Sequence, residues 1–159
     1  MKKRNLLLSI ALVSFTAFSF ATATPTTSSV APAAISKSVI NSFNNEFTNA
    51  SDIRWESNAN FVKAQFTVNN MVLSAYFNKA GELIAVTRFI SPSQLPLGMF
   101  SSLKKTYKGY WVTDLFEIQT ESGTAYYATV ENADQIIVLK SEGLSSWQTF
   151  QKVRKDNAE

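Results

Sequence analysis

Apolar and polar positions along this chain recur with two periods, and the switches between them lay out the elements. From Ile35 to Phe47 the apolar residues Ile35, Val39, Ile40, Phe43 and Phe47 follow at intervals of four, one, three and four. That is one stripe of a helix, with Ser36 as its candidate cap. Ile53 to Glu56 reads as a short strand carrying Trp55. From Phe61 to Val68 the period drops to two, with Val62, Ala64, Phe66 and Val68 on one face and Phe61, Lys63, Gln65 and Thr67 on the other. Met71 to Phe77 returns with Met71, Leu73, Ala75 and Phe77 on one face. Between them Asn69-Asn70 suits a two-residue turn that needs positive φ. This turn predicts a register in which Val68 meets Met71, Phe66 meets Leu73, Ala64 meets Ala75 and Val62 meets Phe77, so that every inward residue faces another.

Asn78-Lys79-Ala80-Gly81 makes the next turn, with Gly81 in a left-handed position, and Leu83 to Ile90 is a third long strand. Ser91 to Pro96 breaks the sheet. Leu97, Phe100, Leu103 and Tyr107 then predict a second helix over Pro96 to Lys108, with Gly109 just past its end. Trp111 to Gln119 reads as a strand with Val112, Phe116 and Ile118 on one face and Trp111 and Leu115 on the other. Ala125 to Glu131 and Gln135 to Lys140 form a hairpin around Asn132-Ala133-Asp134, and Leu144 to Val153 is a last amphipathic piece. The segments ending in Gly81 and Gly143 occupy equivalent places 62 residues apart, as do Val68 and Val130. The expected fold is therefore α+β: two helix-plus-antiparallel-strand repeats, at about 35–90 and 95–153, forming one sheet with both helices packed on one face.

The start of the chain has another character. Met1-Lys2-Lys3-Arg4 is a positive segment, Asn5 to Phe20 is mostly apolar, and Ala21-Thr22-Ala23 is a small-residue processing site. This is the three-part secretory signal. The expectation is a signal peptide over 1–23 cleaved after Ala23, a flexible Pro- and Thr-rich leader over 24–34, and a single domain over 35–159. No Cys follows the apolar run to carry a lipid, and no later segment is long enough to span a bilayer. The protein is expected in the periplasm or outside the cell.

Composition removes most catalytic chemistries. Among 159 residues there is no Cys and no His. That excludes Cys or His nucleophiles, a Ser-His-Asp triad and zinc held by Cys or His. Once Lys2, Lys3 and Arg4 leave with the signal, 12 basic residues balance 12 acidic ones. No basic stripe remains for nucleic acid. The carboxylates are scattered, with Asp114 and Glu117 on opposite faces of their strand. Asp52, Glu56, Asn58 and Asn60 lack the spacing and central Gly of a calcium loop. No catalytic residue, cofactor or metal is expected, and the protein is not expected to be an enzyme.

Several short motifs carry a resemblance. Phe47-Thr48-Asn49-Ala50-Ser51-Asp52-Ile53-Arg54-Trp55 is similar to the F-x-x-A-x-x-x-x-W opening of the PepSY-like, or beta-lactamase-inhibitor-protein-like, family. Tyr76 to Leu83, Leu95-Pro96, Tyr107-Lys108-Gly109-Tyr110 and Ala125 to Val130 resemble the rest in order, over about Val39 to Gly143. Thr48-Asn49 departs from the family, which often has a Pro there. The resemblance implies a small exported α+β domain whose helices cover one sheet face. It implies no activity for most members, and it suggests inhibition of a protease or lactamase only through relatives.

The aromatic residues carry the functional expectation. By parity Phe61, Tyr76, Trp111 and Tyr127 fall on the face opposite the helices, with Lys63 and Arg88 near them. An aromatic sheet face with a few cations suits a protein or peptide partner in the envelope, and edge-strand addition is a second mode. The alternatives are an inhibitor of an exported hydrolase, a small hydrolase using carboxylates alone, and a structural envelope component.

Overall fold

Ser36 caps the first helix: its Oγ accepts the Val39 amide at 3.4 Å. Helix α1 runs Lys37–Glu46 in a computed structural model that describes residues 31–155. The expected signal, its expected processing site and most of the expected leader lie outside the described residues. Pro32–Ala34, which the sequence reading placed in the leader, form a 3-10 turn that delivers Ile35 into the core. The strands are β1 Ser51–Ser57, β2 Val62–Val68, β3 Met71–Phe77, β4 Leu83–Phe89, β5 Trp111–Thr120, β6 Gly123–Glu131, β7 Gln135–Glu142 and β8 Ser146–Arg154. A second 3-10 turn, Pro92–Gln94, and helix α2, Leu97–Thr106, stand between β4 and β5. The final amphipathic piece, whose element type the sequence left open, is strand β8.

All eight strands form one open antiparallel sheet in chain order, with β1 and β8 at its edges. The β2–β3 hairpin has the register expected from its pattern, Val68 opposite Met71 through Val62 opposite Phe77. Asn69 and Asn70 turn it with φ of 50° and 62°, which matches the handed twist of the strands they join.

Two buried clusters hold the sheet to its helices. The first packs Val39 and Phe43 of α1 on Trp55, Val62, Ala64, Phe66, Ala75 and Phe77. Phe43 meets Trp55, Phe66 and Phe77 edge-on, with centroids 5.1, 4.9 and 6.4 Å away. The second packs Met99 and Leu103 of α2 on Leu115, Tyr126, Ala128, Val130, Ile137 and Leu139. Burying each large side chain contributes roughly 1.5–3 kcal/mol, so both helices are held by tertiary packing rather than intrinsic propensity. The clusters share no residue. They meet at the β4–β5 seam, which runs from Val86 opposite Gln119 to Phe89 opposite Phe116.

Four extra residues interrupt the ladders, and two of them change which side chains face the helices. Between Phe77 opposite Leu83 and Tyr76 opposite Ala85, β4 holds one extra residue, Ile84. Both Leu83 and Val86 therefore pack on the α1 cluster, and the positions beyond Ile84 have exchanged faces. Thr113 is the extra residue of β5, between Val112 and Asp114. It puts Val112 and Leu115 on the helix side, while Phe116 and Ile118 join Trp111 on the other. This corrects the strict alternation read for that strand. The remaining two insertions lie in the edge strands, near Asp52 in β1 and at Phe150 in β8.

Candidate functional site: the open face of the sheet

The face away from the helices carries a continuous row of rings. Register places Phe89 opposite Phe116, Phe116 opposite Tyr127, and Tyr127 opposite Lys140. Phe89 meets Phe116 at 6.4 Å between centroids, nearly perpendicular. Phe116 and Tyr127 stack at 5.1 Å with planes 4° apart. Tyr127 meets Phe150 edge-on at 5.6 Å. Lys140 crosses the row, its Nζ 5.9 Å from the Tyr127 centroid. The row spans β4 to β8, and its outer members reach solvent, with Phe89 74% and Phe150 38% exposed. Rings in these offset and edge-on arrangements support one another while leaving apolar area open to a partner.

The residues expected on this face divide. Tyr127 is the centre of the row. Phe61 and Tyr76 form a separate edge-on pair, 5.5 Å between centroids, toward the other end of the sheet. Lys63 lies opposite Tyr76 and is held by Glu56 at 3.3 Å. Trp111 stands at the start of β5, opposite Glu131, and is 63% exposed. Arg88 is corrected: it lies opposite Leu73 and Glu117 on the helix side, because Ile84 reverses the parity of β4. There its Nε and Nη2 donate to the two Glu117 carboxylate oxygens at 3.2 and 3.1 Å. That pair sits at the seam between the two cores, next to the Tyr126 phenol. Burial and the Glu117 charge raise Tyr126 above its ordinary value, and Arg88 partly offsets them.

Phe89, Phe116, Phe150 and Lys140 belong to the row and escaped the sequence reading. Strict alternation sets Phe116 on the Val112 face, Phe89 lies beyond an insertion that no residue type announces, and the pattern of 144–153 does not say whether Phe150 is on a helix or a strand. One signal was available. Ala128 and Val130 alternate with Tyr127, Thr129 and Glu131 along β6, which puts Tyr127 on the face away from the core.

Asn58 Oδ1 accepts the Asn60 and Phe61 amides at 2.8 and 2.9 Å, closing the β1–β2 turn. Among the described residues, no three acidic side chains come together as metal ligands. A shallow recess of about 300 Å³, lined by Asn70, Met71, Val72, Arg88, Phe89 and Gln94, adjoins the Phe89 end of the row. No helix among the described residues is long and apolar enough to cross a membrane.

No family model matches this chain, and no curated protein does. Solved structures do resemble it. A BLIP-like protein of Bacteroides fragilis superposes with a TM-score of 0.66 at 16% identity, covering 79% of this chain and 89% of that one. A DUF2874 family protein of Bacteroides ovatus gives 0.68 at 14%, over 76% and 87%. A Bacteroides eggerthii protein, provisionally described as periplasmic, gives 0.67 at 13%, over 78% and 91%. At these identities the likeness is one of fold: the chain has the α+β architecture of BLIP-like and DUF2874 family proteins.

Proposed function

We propose that this chain is an exported, non-enzymatic binding module that engages a protein or peptide through the open face of its sheet. The aromatic row Phe89–Phe116–Tyr127–Phe150 is the observation that carries the reading. It is a contiguous, partly exposed ring surface, the kind of anchor that supplies most of the energy at protein interfaces. Export is supported by the signal-like start of the chain and by the description of the Bacteroides eggerthii neighbour. A PepSY-like relationship remains part of this proposal, resting on the short motifs alone.

The test is capture of envelope proteins by the exported chain beside two variants. One carries Phe89→Ala, Phe116→Ala and Tyr127→Ala. The other carries Lys104→Glu on the helix side. A partner held by the wild type and the second variant but lost by a still-folded first variant supports the open face. Equal capture by all three refutes it. A sharper version, inhibition of an exported hydrolase, draws support from the likeness to a BLIP-like protein. It requires that a captured hydrolase lose activity when the chain is bound.

We further propose that the chain is a duplicated helix-plus-four-strand unit. Three pairings support this. Ile35, Val39, Phe43 and Phe47 are matched 60 residues later by Leu95, Met99, Leu103 and Tyr107. The first strand of each unit has an insertion with a hydroxyl at or beside it that bonds across the ladder, Ser51 Oγ to the Thr67 carbonyl at 3.5 Å next to the β1 insertion and Thr113 Oγ1 to the Thr129 carbonyl at 3.4 Å. The start of each helix lies against the last hairpin turn of its unit, Ser38 on Gly81 and Gly98 on Leu144. Separate expression of 31–94 and 91–155 tests it. Two chains that fold together on mixing support the duplication, and two that never associate count against it.

A further inference from the structure

Lys140 is the charged member of an otherwise apolar row. It lies opposite Tyr127 on one side and Gln148 on the other, is half-buried, and has Val138 two positions away on the same face of β7. Two other lysines of the open face are already neutralised, Lys63 by Glu56 at 3.3 Å and Lys155 by Glu131 at 3.2 Å. Among the described side chains no carboxylate forms an ion pair with Lys140, and its one recorded interaction is with the Tyr127 ring. A ring face satisfies an ammonium only in part, because the group carries three donors. The half-buried site beside the Tyr127 ring is less polar than open water, so an anion arriving there gains more than it would at a fully exposed surface.

We propose that Lys140 is a carboxylate-docking subsite, and that the partner is a protein segment presenting an Asp or Glu side chain beside an aromatic or branched aliphatic one. The proposal rests on the open-face reading and specifies the chemistry of its partner. Charge complementarity places the carboxylate at Lys140. The stacked Phe116 and the exposed Phe89 then receive the apolar side chain. They stand two and three strands away, about 10 and 14 Å at the usual strand spacing. An extended segment crossing the strands covers that distance in about three to four residues. A polyanion fits poorly, since a run of charges needs several unpaired cations and most of this face is apolar or already neutralised.

The test pans the exported protein against a phage-displayed library of random dodecapeptides and measures synthetic versions of the enriched sequences by titration. The expected peptides pair Asp or Glu with Phe, Tyr, Trp, Leu or Ile about three to four residues away. Their affinity falls about tenfold when the acid becomes its amide, and about tenfold in Lys140→Met. The two losses do not add, and Lys140→Arg keeps most of the binding. Added salt weakens wild-type binding and leaves Lys140→Met unchanged. Enriched peptides that lack an acid and bind Lys140→Met as tightly overturn the subsite and leave the open face standing. Acidic peptides indifferent to their apolar neighbour also overturn it. Peptides that bind the Phe89→Ala, Phe116→Ala, Tyr127→Ala variant undiminished overturn the open-face reading, and the subsite with it. A library that yields no binder refutes the segment as partner, while leaving a folded partner for the open face to the capture experiment.

Discussion

Gly81 offers a test of how α1 is locked to its sheet. It is buried in the β3–β4 turn with φ of 98°. A Cβ added there would lie 2.9 Å from the Ser38 carbonyl carbon and 3.0 Å from both the Ser38 oxygen and its Cβ. Two costs therefore act together in Gly81→Ala. Forcing an L side chain into positive φ costs about 1–2 kcal/mol. Pushing the first turn of α1 away from the hairpin adds about 1–3 kcal/mol. Gly109→Ala separates the two. Its φ is 91°, but a Cβ there has no neighbour within 4 Å. Only the first cost applies, about 1–2 kcal/mol. Urea unfolding of the protein, followed by circular dichroism, should show a loss of about 2–5 kcal/mol for Gly81→Ala and distinctly less for Gly109→Ala. Thermal melts should follow, at very roughly 3–6 °C for each kcal/mol in a domain of this size. Equal losses in the two variants would refute the close approach as the source of the helix's anchorage. So would a Gly81→Ala loss near 1 kcal/mol.

Two further predictions concern the seam. Arg88 and Glu117 are 32% and 19% exposed at their side chains and form a two-point ion pair. Glu117→Gln should cost about 1–3 kcal/mol by urea unfolding, with a smaller further loss when Arg88→Met is added, because the partners are coupled. Independent, additive losses would show that the pair holds nothing. Tyr126 is raised above its ordinary value, first by burial. The folded state thus keeps a proton that the unfolded chain releases near pH 10, and stability should be full below that value and fall as pH rises beyond it. Tyr126→Phe should flatten that alkaline decline in urea midpoints measured across the range, and an unchanged slope would assign it to other groups.

The parts of the fold visible in the sequence are those where local chemistry and period agree. Asn69-Asn70 fixes the turn, and the two-residue alternation on both sides then leaves a single register, so β2–β3 is readable residue by residue. Ser36, four residues ahead of Ile40 in a clear stripe, marks the start of α1. What the sequence concealed came from insertions. Ile84 and Thr113 are ordinary strand residues, and nothing in their chemistry announces that each shifts its ladder by one. Strict alternation therefore puts Arg88 with the aromatics and Phe116 on the same face as Val112. The site was half readable for the same reason. Tyr127, Phe61, Tyr76 and Trp111 precede or escape the shifts, whereas Phe89 and Phe116 lie just past them.

The inserted residues in the two outermost strands have a consequence for life in a crowded compartment. An eight-stranded sheet open at both sides presents two ledges of unpaired amides and carbonyls to every neighbouring chain. Here each ledge is broken, by the left-handed Asp52 on one side and by the extra Phe150 on the other. A straight strand laid along either would lose step after a few residues. The protein can therefore keep a sticky ring surface in the middle of its sheet at high local concentration without seeding the cross-chain ladders that lead to fibrils. On the open-face proposal, this steers a partner toward the broad face, where recognition depends on side chains and can be selective, and away from the rims, where backbone pairing would accept almost any sequence.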